Sequence, residues 1–86
     1  MSTLKTTKTR IEKLDFSDKI YVYLSSGDIL SLPYTYTEKI SASTKDVLKQ
    51  YRLIADGIGI HFEEIDEDIS LNGIIAYKTT HELIAS

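Results

Sequence analysis

The stretch KIYVYLSSGDILSLPY, residues 19 to 34, limits what this chain can fold into more than any other part of it. Ile20, Val22 and Leu24 alternate with Tyr21 and Tyr23, a period of two that sets the aliphatic residues on one face of a strand and the tyrosines on the other. SSGD carries the glycine that a tight hairpin turn requires, and Leu30, Leu32 and Tyr34 then resume on one side, so the next strand returns antiparallel. Upstream, IEKLDF directs Leu14 and Phe16 to one face before a Ser17–Asp18 turn. A three-stranded antiparallel meander follows from these alternations. Pro33, the only proline, has no N–H for a ladder bond and marks the end of the third strand or a sheet edge.

Downstream the period changes. In STKDVLKQYRLIADG, residues 43 to 57, Val47, Leu48, Tyr51, Ile54 and Ala55 recur at three- and four-residue spacing. Ser43 suits an N-cap, Asp46 the positive end of the dipole, and Gly57 a left-handed residue after the last turn. An amphipathic helix of about three turns is predicted. IGIHF then reads as a short strand with Ile58, Ile60 and Phe62 inward and Gly59 and His61 on the opposite face, where the glycine permits close approach. Ser70 suits the cap of a short helix with Leu71, Ile74, Ile75 and Lys78 on one flank, although GIIAY fits a strand nearly as well. The tail KTTHELIAS ends in a helical turn packing Leu83 and Ile84, or frays. The expected fold is α+β: a small antiparallel β-meander of three strands plus a further short strand, one main amphipathic helix and a short C-terminal helix. Residues 1–10 form a flexible or edge-strand arm, residues 11–77 a single domain, and residues 78–86 a C-terminal tail.

Eighty-six residues can bury only a modest core. The absence of cysteine rules out disulfides and thiolate metal sites as support, which leaves idealised packing or self-association, so a homo-oligomer stays open. No apolar run approaches the roughly 20 residues of a membrane span, and the Thr- and Lys-rich start lacks a signal peptide's apolar centre. The expected location is cytoplasmic, with no membrane partner. Net charge is −3, but Lys5, Lys8, Arg10 and Lys13 crowd the start, while Glu63, Glu64, Asp66, Glu67 and Asp68 crowd six positions of one later loop. An acidic balance argues against nucleic-acid binding over the whole surface, while leaving the basic arm able to act locally.

The acidic stretch GIGIHFEEIDEDISLNG invites a metal reading. Asp66, Asp68, Ser70 and Asn72 alternate like the first oxygen ligands of a calcium-binding EF-hand loop, but the sixth position of such a loop needs glycine and the twelfth glutamate, where this chain has Leu71 and Tyr77. A transition metal at His61 with Asp66 or Glu64 lacks a second anchoring histidine, since His81 lies in the tail. No metal or cofactor is expected. No nucleophile elbow, phosphate-binding glycine loop or dinucleotide fingerprint is present, and five neighbouring carboxylates in a solvated loop do not differ enough for acid–base catalysis. No catalytic residue is assigned. The plainer reading is a structural elbow: Gly59 for close approach, His61 bonded to a carboxylate of the following loop, Asp66 accepting backbone N–H groups inside the turn, Asp68 at the start of the short helix that Ser70 caps, and Ile65 and Ile69 tucked inward. Glu63, Glu64 and Glu67 then face outward. Tyr21, Tyr23 and Tyr36 are cross-strand packing residues in the plain reading and anchors of a recognition surface in the sharper one, since aromatics anchor interfaces while rim charges mainly steer.

The order of I-x-x-L-x-F-S-D, a V-x-L-x-S-G-D hairpin, an S-L-P-Y element, a segment opening S-A-S-T-K-D and the block G-I-G-I-H-F-E-E-I-D-E-D-I-S-L-N-G-I-I resembles a small bacterial family, domain of unknown function 2442, over residues 11–77. Two departures stand out: Phe62 follows His61 where the family often has tryptophan, and Y-T-Y-T-E-K-I follows Pro33 where relatives carry a tryptophan, a further proline and an arginine. The resemblance implies an α+β fold of a small antiparallel sheet with one principal helix, and it implies no chemistry. Relatives resemble small genes beside putative toxin partners, and some are joined to a helix-turn-helix domain, so it suggests regulation or antitoxin-like partnership. The expected function is a non-enzymatic protein-binding module, antitoxin-like or inhibitory toward a basic partner. The alternatives are a nucleic-acid-associated regulator using the arm from Lys5 to Lys13, and, third, a small metal-dependent or hydrolytic enzyme using His61 with Asp66.

Overall fold

The alternating segments form strands where the pattern places them. The structure, a computed structural model, describes the backbone of residues 9–85 and the side chains of residues 9–80. Strands β1 (Ile11–Phe16), β2 (Ile20–Leu24) and β3 (Ile29–Leu32) make an antiparallel sheet in the order β1-β2-β3. Leu14 lies opposite Val22, which lies opposite Leu30, and Phe16, Ile20 and Leu32 form the next row on the same face. That face enters the core; Val22, Ile20 and Leu32 are fully buried. The β2–β3 turn closes through Leu24 N–H to the Asp28 carbonyl (2.9 Å). Pro33 lies just past the end of β3, an edge strand.

The long helix expected over residues 43–57 does not form. Two single-turn helices, α1 (Glu38–Ser41) and α2 (Lys45–Leu48), occupy the connection, capped by the hydroxyls of Thr37 and Thr44 rather than Ser43. Ser43 instead donates its hydroxyl to the Lys39 carbonyl (2.7 Å). Tyr51–Ile54 is strand β4, paired with β5 (Gly59–Phe62), which pairs with β6 (Glu67–Ser70) in a second antiparallel sheet of order β4-β5-β6. The energetic reason is plain. Helix propensity distinguishes most residues by only a few tenths of a kcal/mol, whereas turning Tyr51 and Leu53 onto the core stabilises by roughly 1–2 kcal/mol per side chain. The joint between β4 and β5 runs through Ala55, Asp56 and Gly57 at φ 52°, 60° and 90°, so the glycine closes a hairpin and not a helix. A Cβ on Gly57 would sit 2.9 Å from Arg10 Cβ and 3.2 Å from the Ile11 carbonyl oxygen, so the turn packs directly on the start of β1.

Two further expectations change. The acidic loop and the residues assigned to a helix start are a second hairpin: one 3-10 turn (Glu63–Ile65), Asp66 in the left-handed conformation, then β6. The short C-terminal helix and the separate tail are one helix, α3 (Leu71–Ala85). Its start matches the expectation, with the Ser70 hydroxyl accepting from Gly73 N–H at 2.9 Å. The fold is α+β, with two three-stranded sheets in place of one sheet and an extra strand. Both sheets share one core, in which Leu14, Phe16, Val22 and Leu32 of the first meet Ile60, Phe62 and Ile69 of the second, together with Ile40, Leu48, Leu71 and Ile74. The sheets are also joined by the Tyr51 hydroxyl, which accepts from Leu14 N–H (3.0 Å), and by the tilted pair of Tyr51 and Phe16 rings at 6.0 Å. Ile58, expected inward, is 50% exposed because the chain is still in the turn there. Residues 1–8 and the side chains of Leu83 and Ile84 lie outside the described residues. No described helix is long and apolar enough to cross a membrane.

Candidate functional site

The second sheet turns Tyr51, Leu53, Ile60, Phe62 and Ile69 inward, and strand alternation sends Arg52, His61 and Asp68 to the other face. Register sets these three in one cross-strand row, Arg52 opposite His61 and His61 opposite Asp68. His61 Nδ1 bonds Asp68 Oδ1. A carboxylate only accepts, so Nδ1 carries the proton and the other ring nitrogen is left as an acceptor unless the ring is charged. At the opposite end of the row, Arg52 Nε donates to Glu63 Oε1 at 3.1 Å, with both side chains more than half exposed. The row has a cation at one end and a carboxylate at the other, and the Arg52–Glu63 pair holds the β5–β6 hairpin to β4. It contains no serine, threonine or cysteine.

Asp68 therefore stands in a strand beside His61 rather than at a helix start. Asp66 contributes its backbone: its N–H bonds the Glu63 carbonyl at 3.3 Å, and its own carbonyl accepts from Lys39 Nζ at 3.1 Å. Lys39 also lies 4.0 Å from Glu67, whose side chain is only 20% exposed, so Glu67 does not project outward as fully as Glu63 and Glu64 do. Gly59 is buried, and a Cβ there would meet Ile54 Cγ1 at 3.0 Å. Ile65 packs partly buried against the core and Ile69 lies within it. Among the described residues no three His, Cys, Asp or Glu side chains are grouped to hold a metal.

The tyrosines separate into two places. Tyr21 and Tyr23 lie half-buried on the outer face of the first sheet, where the Tyr21 hydroxyl donates to Asp18 (3.0 Å) and Lys13 Nζ stands 4.7 Å from the centre of the Tyr23 ring. The hydrogen bond from Tyr21 holds the Asp18 carboxyl below its usual range and raises the phenol in turn. Tyr36 is elsewhere, packed edge to face on Tyr77 of α3 with ring centres 5.0 Å apart. Burial, followed by the neighbouring Tyr77, raises the Tyr36 phenol. Of the basic arm, Arg10 lies 3.9 Å from Asp56 and Lys13 covers Tyr23; Lys5 and Lys8 lie outside the described residues.

A groove of about 590 Å³ runs beside the acidic hairpin. Glu67, Asp68, Ile69 and Ser70 of β6 line it together with the contacting rings of Tyr36, from the connection, and Tyr77, from α3. Sequence periodicity has no means of finding it, because Tyr36 and Tyr77 are forty-one positions apart. The small residues Gly73 and Ala76, one helical turn apart, were the only local sign of an open helix face. A second concavity of about 620 Å³ between β3 and α3 is more apolar and includes the exposed Ile29 and Ile75.

Two solved structures share this fold. A crystal structure of a protein of unknown function from Rhodospirillum rubrum superposes with a TM-score of 0.71 and 25% identity, covering 79% of this chain and 86% of that one. The solution structure of an uncharacterized protein from Chromobacterium violaceum gives a TM-score of 0.72 at 18% identity, covering 91% of this chain and 81% of that one. No curated protein sequence matches the chain. Residues 11–80, which contain both sheets, the acidic hairpin and the groove, match the model of a family described as protein of unknown function (DUF2442), and the chain belongs to that family.

Proposed function

We propose that this protein is a non-enzymatic, cytoplasmic protein-binding module that engages a basic partner through the β5–β6 hairpin, in an antitoxin-like or inhibitory role. The observation that carries the reading is the concentration of charge on that hairpin. Glu63, Glu64, Asp66, Glu67 and Asp68 fall within six positions, and among the described cations only Arg52 and Lys39 form ion pairs with them through side-chain nitrogens, apart from the hydrogen bond of His61 to Asp68. Glu63 and Asp68 keep 61% and 68% of their side-chain surface exposed. Carboxylates arranged this way steer a cationic surface into contact and discriminate against acidic ones, while the adjoining Tyr36 and Tyr77 supply the aromatic surface that makes such contacts durable.

The test is affinity capture from the native host with the wild-type protein and with a Glu63→Lys, Glu64→Lys, Glu67→Lys variant. A basic protein retained by the first and released by the second is the expected result. Retention unchanged by the triple reversal rejects the acidic surface as the binding determinant.

A further inference from the structure

The β6 strand has one side paired and one side open. It is the last strand of the second sheet, in the order β4-β5-β6. The phase of its backbone bonding follows from a single contact: Leu71 N–H donates to the Ile58 carbonyl at 2.9 Å, and Ile58 stands opposite Leu71 when the β5–β6 register is extended by one residue. In an antiparallel ladder, hydrogen-bonded pairs alternate with non-bonded ones. The pairs Ile60–Ile69 and Phe62–Glu67 therefore exchange backbone bonds, and His61–Asp68 and Gly59–Ser70 do not. Side chains approach most closely in non-bonded pairs, in agreement with the contact between His61 and Asp68. It follows that the N–H and C=O of Asp68 and the N–H of Ser70 point away from β5. Among the described residues none of these three groups has a hydrogen-bond partner outside the helices and strands.

The groove occupies the space they point into. Successive strand residues face opposite sides of a sheet, and all four residues of β6 line this groove, an arrangement that fits a groove following the open edge of the strand. The charge beside those backbone groups is negative on balance, with Asp68, Glu67 and the adjoining Asp66 against the single cation Lys39, and the contacting Tyr36 and Tyr77 rings also line the groove.

We propose that an extended basic segment of a partner protein adds to β6 as a fourth, antiparallel strand of the second sheet. The inference rests on the basic-partner reading and specifies how that partner is held. The residue opposite Asp68 exchanges both backbone bonds with it and projects its side chain to the same face, where an arginine or lysine meets the Asp68 carboxylate. Arginine suits the site better, because its planar guanidinium also stacks on a tyrosine ring. With bonding groups at only two β6 residues the paired stretch is short, so side-chain charge contributes much of the affinity and backbone pairing sets register and direction.

The test uses the full-length, ¹⁵N-labelled protein and four synthetic peptides: one of alternating arginine and valine, one with glutamate replacing each arginine, and two copies of the first N-methylated at the arginines or at the valines. The first peptide is expected to shift the Asp68 and Ser70 amide resonances and slow their hydrogen exchange. Methylation at the arginines, whose N–H groups face β6, lowers affinity by about tenfold or more, while methylation at the valines does not. The glutamate peptide does not bind. Equal affinity of the two methylated peptides, failure of the arginine peptide to bind, or binding of the glutamate peptide each overturns the strand-addition proposal. The capture experiment with the triple charge reversal judges the basic-partner reading independently, so the two can fail separately.

Discussion

Replacing Gly57 by alanine should destabilise this protein far more than the same change at Gly27, and the difference measures how tightly the β4–β5 turn packs on β1. Both glycines have positive φ, 90° and 98°, so each substitution incurs the backbone penalty of a left-handed L-residue, about 1–2 kcal/mol. Both also lose unfolded-state freedom, which returns roughly 0.4–1 kcal/mol. These contributions cancel in the comparison. What differs is space: nothing lies within 4 Å of a Cβ on Gly27, whereas one on Gly57 stands 2.9 Å from Arg10 Cβ and 3.2 Å from the Ile11 carbonyl oxygen. Neither atom is the far end of a flexible side chain, so the backbone of β1 or of the turn must move, at a cost of about 1–3 kcal/mol. For a domain of this size that lowers the thermal midpoint of Gly57→Ala below that of Gly27→Ala by about 5–20 °C. Circular dichroism melts with parallel urea titrations provide the measurement. Adding Arg10→Gly to Gly57→Ala removes the nearer contact and should recover part of the loss, as a double-mutant cycle. Equal midpoints for the two alanine variants would refute the close approach.

Tyr51→Phe removes the acceptor of Leu14 N–H in a half-buried position, and a loss of about 1–2 kcal/mol is expected in urea unfolding. Ser70→Ala removes the cap of α3 and should cost about 1 kcal/mol, with Ser70→Asp retaining most of the stability. Tyr21→Phe deletes the hydrogen bond that leads the depression of the Asp18 carboxyl, so its NMR titration midpoint should move up toward the ordinary aspartate value. The Tyr36 phenol is raised, so its neutral form is the one the folded state favours; its tyrosinate absorbance should develop later on alkaline titration than in the unfolded chain, and the stability it contributes is complete below the unfolded midpoint and lost as pH rises through the folded one.

The first sheet was legible because its signals are local and agree: Ile20, Val22 and Leu24 alternate with tyrosines, and Gly27 sits where the turn needs it. The second sheet was concealed by a coincidence of spacing. Val47, Leu48, Tyr51 and Ile54 satisfy a helical period, but the last two belong to a strand whose Tyr51 and Leu53 face the core. The Asp56–Gly57 pair between apolar runs is a hairpin signal, and the helical spacing upstream makes the same glycine fit the end of a helix. The carboxylate beside His61 was expected from the following loop; that it is Asp68 depends on a four-residue turn that shifts register from Phe62 to Glu67. Residue type alone groups Tyr36 with Tyr21 and Tyr23, and only tertiary packing places it on Tyr77. The groove itself has no local signature, since its lining comes from the connection, β6 and the last helix.

The order of the strands has a consequence for synthesis. Each sheet is made of consecutive strands, so residues 11–32 leave the ribosome, and can complete their ladder, before residues 51–70 do. Such near-neighbour pairing closes small loops and proceeds quickly. The finished meander nonetheless presents Leu14, Phe16, Val22 and Leu32 to solvent until Ile60, Phe62 and Ile69 arrive to cover them. During that interval the nascent chain is a sticky half-sandwich, most prone to aggregate with other copies of itself while ribosomes crowd a message.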